Sequence, residues 1–280
     1  MEHVEHHRVA DDLGRWIELA VQPRRIVSLV PSHTETLFAL GAGARVVAVT
    51  RYCEEPAAEV AVLPKVGGTK NPDLAAIRTL APDLVIMNAE ENRREDFDAL
   101  AAAGCPVFVT EPKTILDGVR GLERLGLVAG CRTEGEALAA AQAARVHAAL
   151  AAVSGQPRVR YFCPIWRKPW MTFNADTYAH DMLRAAGGEN VCAAETDRYP
   201  TVTLERIAAT APAIVLLPDE PYRFTSKDRP ALAPLADTPA LRHERVHFVD
   251  GKALAWYGPR IAAGLENFAA IFSTARGDVR

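Results

Sequence analysis

A fourteen-residue pattern occurs twice, and few features constrain a fold more. Leu74-Ala-Ala-Ile-Arg-Thr-Leu-Ala-Pro-Asp-Leu-Val-Ile-Met87 returns 130 residues later as Leu204-Glu-Arg-Ile-Ala-Ala-Thr-Ala-Pro-Ala-Ile-Val-Leu-Leu217. In each copy two apolar residues three apart (Leu74 and Ile77, Leu204 and Ile207) mark one face of a short helix. Pro82 or Pro212 stops it, and the unbroken apolar run that follows suits a strand covered on both faces. A helix feeding a buried parallel strand is half of an α/β unit. Two such units predict two similar lobes with a ligand between them.

The 280 residues suffice for two such lobes, and 49% hydrophobic content fills ordinary cores. Thirty-two basic against 35 acidic residues leave a net charge of −3 and no basic stripe, which argues against a nucleic-acid partner. No run of 18 apolar residues predicts a membrane span. The first 22 residues lack the apolar core of a signal peptide, and five cysteines at irregular spacing fit a reducing compartment. The expected location is therefore the cytoplasm, or the periplasm if a leader has been removed.

Arg25 to Val30 reads as the first core strand and Val46 to Val49 as the second. The helix between them is expected to start on Ser32 or Thr34, with Glu35 in its first turn. Thr133 to Val153, rich in alanine, predicts one stiff helix about 30 Å long that joins the lobes and limits their hinging. The expected fold is two Rossmann-like α/β lobes of mostly parallel sheet, residues 1–131 and 156–280, joined by a backbone helix at 132–155. In the second lobe, Val191 is read as a strand start and residues 218–239 as a proline-rich loop. His3, His6 and His7 are read as solvated residues of a polar terminus.

Aromatic residues make up only 7% of the chain, yet Tyr52, Trp170, Tyr199, Trp256 and Tyr257 all follow or interrupt predicted strands. Open α/β sheets bind ligands there, so these rings are candidates to grip a flat ligand. His33, where the first strand meets its helix, is a candidate to line the ligand or reach a metal axially, against an ordinary hydrogen-bonded first-turn role. Arg260 can meet a ligand anion or pair with a carboxylate of its own lobe. Cys53 reads as a structural thiol. No nucleophile with a neighbouring base, phosphate loop or metal-ligand cluster is visible, so no catalytic or metal-ligating residue and no resident cofactor are expected.

Several segments, taken in order, resemble one family: Arg25-Ile-Val-Ser-Leu-Val-Pro-Ser-His-Thr-Glu-Thr-Leu-Phe-Ala-Leu-Gly41, Val66-Gly-Gly68, both repeats, Ala186-Gly-Gly-Glu-Asn190 and Trp256-Tyr-Gly-Pro-Arg260. They are similar to the helical-backbone (class III) substrate-binding proteins, and most to the cobalamin-binding branch. The resemblance implies a monomeric, non-enzymatic binder. It implies a metal chelate held in the interlobe cleft, cobalamin or another corrinoid first, haem or a ferric siderophore next. It also implies delivery to an ABC importer permease that docks on one glutamate per lobe. Here Glu205 fills one docking position while Ala75 stands in the other. The alternative is a cytosolic corrinoid- or tetrapyrrole-processing enzyme or chaperone on the same scaffold, with His33, Glu35 or Cys53 in the chemistry.

Overall fold

The computed structural model describes residues 6–276. The chain forms two compact units. One comprises residues up to Pro112, Leu116–Gln142 and Tyr257–Pro259; the other comprises Lys113–Ile115, Ala143–Trp256 and the residues from Arg260 onward.

The N-terminal unit begins with an antiparallel hairpin, β1 (His6–Ala10) and β2 (Trp16–Ala20), in which His6 faces Ala20 and Ala10 faces Trp16. The polar start is thus a strand rather than a solvated terminus, because Val9, Ile17 and Leu19 pack on the unit's core. His3 lies outside the described residues. Next come β3 (Ile26–Ser28), β4 (Val46–Val49), β5 (Leu84–Asn88) and β6 (Val107–Thr110), all parallel, in the order β4-β3-β5-β6. Alternate residues feed two cores: Ile26, Leu84, Ile86 and Phe108 on one face, Val27, Val85, Met87 and Val109 on the other. Period-two alternation with both faces covered leaves the unbroken apolar runs seen in the sequence.

The helix after β3 spans Pro31–Ala39. It starts earlier than the sequence suggests: Pro31, with its fixed φ and no N–H to leave unpaired, takes the first position, no side chain caps the end, and Glu35 lies beyond the first turn. The long helix runs from Arg132 to Val153. It crosses helix Ile115–Val128 at Gly126 and Gly135, where a Cβ on either residue would come within 2.8 Å of the other's Cα.

The C-terminal unit has β7 (Val159–Phe162), β8 (Gly188–Asn190), β9 (Ile214–Pro218) and β10 (Val246–Val249), again parallel, ordered β10-β9-β7-β8. Counted along the chain, each sheet therefore has the order 2-1-3-4, and the repeated pattern supplies the third strand of both. Equivalent residues also do equivalent jobs. Asp73 Oδ1 accepts from Ala76 N at 2.9 Å to cap helix Leu74–Thr79, as Thr203 Oγ1 accepts from Arg206 N at 3.3 Å to cap Leu204–Ala209. Ala81 and Ala211, just past the two helices, both have positive φ, 43° and 48°.

Two expectations for this unit are corrected. Strand β8 begins at Gly188, before Val191, because residues 188–190 are the ones that pair with Val159–Tyr161 of β7; a Cβ at Gly188 would lie 2.6 Å from Phe272 and 2.7 Å from Tyr161. Residues 218–239 are not a plain loop either. They hold a 3-10 helix at Ser226–Leu235, entered through a capping box in which Thr225 and Asp228 bond each other's backbone and side chain.

Candidate functional site

In a sheet of order 2-1-3-4 the chain leaves the first and third strands in opposite directions, so a crevice opens at their carboxyl ends. In the N-terminal unit that point lies between β3 and β5. Helix Pro31–Ala39 carries His33 there, and β6 brings Thr110 opposite. His33 Nε2 lies 2.6 Å from Thr110 Oγ1, and the imidazole packs against Tyr257 with centroids 5.3 Å apart. The Tyr257 hydroxyl donates to Glu91 Oε1 at 3.1 Å, in the loop after β5. Asn88 and Asn92 brace that loop: Asn88 Oδ1 accepts from the Glu90 and Glu91 amides, and Asn92 Oδ1 accepts from Asn88 N.

His33 is only 2% exposed, and burial pushes its pKa down to about 3, so it is a neutral imidazole. Its Nδ1 has no hydrogen-bond partner among the described residues. The sequence reading gave His33 and Tyr257 to the ligand. The structure buries both, with His33 held by Thr110 and Tyr257 by Glu91. Tyr52, just beyond β4, is the opposite case, 53% exposed. Its neighbour Cys53 is buried, accepts from Thr34 Oγ1 at 3.1 Å, and has its pKa raised by burial, which makes it an inert thiol.

The corresponding point of the C-terminal unit lies between β7 and β9, and its loops are aromatic. Trp166 and Trp170 follow β7; Tyr222 and Phe224 follow β9. Trp170 is stacked on Phe224, Phe224 packs on Tyr222 at 4.7 Å, and Tyr222 meets the edge of Trp166 at 5.7 Å. Arg167 and the Tyr222 hydroxyl both bond Asp228, which ties the two loops to the 3-10 helix. Trp166 is 42% exposed, so part of this cluster faces outward. Tyr199, on the segment before helix Leu204–Ala209, is 40% exposed. Of the rings that the sequence offers as candidates, the cluster contains Trp170; Trp166, Tyr222 and Phe224 join it and are not among those candidates. For Trp166 the missed signal was its place four residues ahead of Trp170 in the same strand-end loop.

Trp256 is buried, flanked by Lys252 at 5.1 Å and Arg260 at 5.7 Å. Its side chain also bonds Glu220, whose pKa burial raises to about 7. Arg260 lies 3.9 Å from Asp250. These two candidates are thus engaged by their own unit, the second reading the sequence allowed for Arg260. Glu205 and Ala75 are both exposed at matching positions of their short helices. Among the described residues no group of three or more His, Cys, Asp or Glu could hold a metal ion, and no helix is long and apolar enough to cross a membrane.

The sequence profile of the periplasmic binding protein family matches residues 26–253. Two vitamin B12-binding proteins are similar: that of Vibrio parahaemolyticus is 28% identical over 71% of this chain and 72% of its own length, and that of Vibrio vulnificus is 25% identical over 89% and 90%. Among solved structures, the periplasmic heme-binding protein RhuT of Roseiflexus superposes with a TM-score of 0.81 at 28% identity, over 90% of this chain and 99% of that one. The periplasmic vitamin B12-binding protein BtuF of Vibrio cholerae shares the fold, with a TM-score of 0.81 at 23% identity over 90% and 98% of the two chains.

Proposed function

Since the chain belongs to the periplasmic binding protein family, we propose that it is a non-enzymatic binder of a flat metal chelate, a corrinoid first and haem second, passed to an ABC importer. The observation that carries the ligand class is the Trp166, Tyr222, Phe224 and Trp170 cluster at the β7/β9 switch point. Trp166 presents an exposed ring backed by Tyr222, Phe224 and Trp170, an apolar platform that suits stacking on a macrocycle and gains little from a small polar solute. The names of the two Vibrio relatives favour a corrinoid, and RhuT keeps haem as the second choice.

The metal is cargo, carried inside its own macrocycle. The neutral, buried His33 is already bonded to Thr110, which argues against axial ligation through Nε2. Tyr52 and Tyr199, both exposed at strand-end loops, are further ligand contacts in this reading. Delivery to an importer rests on exposed Glu205, with Ala75 leaving the matching position uncharged.

The test is a titration of purified, reduced protein with cyanocobalamin, hemin and one ferric siderophore, following tryptophan fluorescence and the visible spectrum of the chelate. Saturable quenching by cyanocobalamin at micromolar concentration or below supports the corrinoid reading. Hemin binding alone moves the assignment to haem, and no response to any of the three overturns it.

A further inference from the structure

We propose that the N-terminal hairpin builds a second binding pocket, for a small anion that carries an apolar group. The hairpin, residues 6–20, precedes the segment that the family profile matches. Its tip is fixed: Asp12 N donates to Val109 O at 3.0 Å, and Asp12 Oδ2 accepts from Glu111 N at 2.8 Å, which seats the turn on the end of β6. Between that tip, the ends of β5 and β6 and the start of helix Arg94–Ala102 lies a cavity of about 420 Å³. That is within the usual size range for a small-molecule site.

The lining has two chemistries. Leu13, Phe97 and Val109 give apolar walls; Arg15, Arg93 and Arg94 bring three guanidinium groups, and among the described residues no Asp or Glu lines the cavity. Arg15 is preorganised, its guanidinium held by two bonds to Asp11 Oδ2, at 2.9 and 2.6 Å, while it lies 3.6 Å over the Phe97 ring. Asp11 balances that charge. The anion therefore meets Arg93, whose charge also acts on the nearby Asp96 carboxylate, and Arg94, which has only a loose 3.8 Å pairing with Asp98 and stays largely exposed. Glu95 and Asp96, in the first turn of the same helix, are outside the lining. Guanidinium pairs recognise carboxylate or phosphate oxygens in bidentate fashion, and the apolar walls reward a short hydrocarbon or aromatic arm. This inference does not depend on the chelate reading, which uses other residues.

Isothermal titration of the intact protein with phenyl phosphate, inorganic phosphate and phenol tests it. Phenyl phosphate is expected to bind one to one, at least about tenfold tighter than either fragment, because charge and apolar contact act together. The Arg93→Gln/Arg94→Gln double variant, and separately the exposed Leu13→Glu, are each expected to weaken it by about tenfold or more, with melting temperature and cyanocobalamin titration unchanged. The proposal is overturned if phenyl phosphate gives no saturable heat at millimolar concentration. It is equally overturned if phosphate or phenol alone binds as well, or if neither variant changes the affinity.

Discussion

Trp170 lies flat on Phe224, with ring centroids 5.9 Å apart and planes only 6° from parallel. One ring comes from the loop after β7 and the other from the loop after β9. Their contact exists because those strands are neighbours in the sheet. It also divides the cluster's labour: Trp170 and Phe224 knit the loops together, while Trp166 keeps an exposed surface.

Trp166→Ala should therefore weaken chelate binding by about 1 to 3 kcal/mol and leave stability nearly unchanged. Trp170→Ala should lower both affinity and melting temperature, because it also removes packing against the core. Paired fluorescence titrations and thermal melts of the two variants check this. Equal chelate affinity for Trp166→Ala and the parent would remove that ring from the site.

Glu220 should titrate near neutrality. Burial holds its carboxyl at about 7 against an ordinary 4.5, and its partner is the Trp256 side chain. Between those values the folded protein retains a proton that the unfolded chain releases, so this group's contribution to stability falls as pH rises across the window. Glu220→Gln should flatten that slope. Tryptophan emission followed from acid to neutral pH should show a transition in the parent that the variant lacks.

His33 behaves in the opposite sense. With a folded pKa of about 3, it stays neutral while the unfolded chain's histidine protonates near 6.5, so stability is lost as pH falls below about 6.5. Its ring resonances should not move between about pH 8 and pH 5, the range in which an exposed histidine titrates. A midpoint in that range would contradict the buried, Thr110-bonded imidazole.

The two repeats should respond alike to substitution. Asp73→Ala and Thr203→Ala each remove a helix cap and should cost about 1 kcal/mol. Ala81→Gly and Ala211→Gly should instead be neutral or stabilising by up to about 1 kcal/mol, since an L side chain at positive φ is strained. Urea unfolding of the four variants measures this. A large loss from either glycine substitution would show that the alanine methyl packs more than it strains.

If the importer reading holds, Glu205→Ala should abolish or greatly reduce substrate-dependent ATPase stimulation by a reconstituted importer while leaving chelate affinity intact, because the carboxylate is exposed and is not one of the proposed ligand contacts. Ala75→Glu tests the other position and should raise stimulation. A Glu205→Ala protein as effective as the parent would sink the docking role.

The sequence by itself determined the secondary-structure rhythm: the doubled helix–Pro–strand pattern, β4 at the expected residues, and the alanine-rich helix. These depend on neighbours within a few residues, through periodicity, proline geometry and helix propensity, so they can be read locally. The hairpin escaped because its strands are polar and become covered only by lying along a core made of later residues. Tertiary structure alone decided which way each strand-end ring faces. Sequence placed His33, Trp256 and Tyr257 beside the strand ends, but their burial follows from Thr110, Glu220 and Glu91, which reach them from elsewhere in the chain. The Trp166 to Trp170 cluster likewise needs β9 beside β7 in a 2-1-3-4 sheet, a pairing set by how two apolar strand faces pack and not by any local signal.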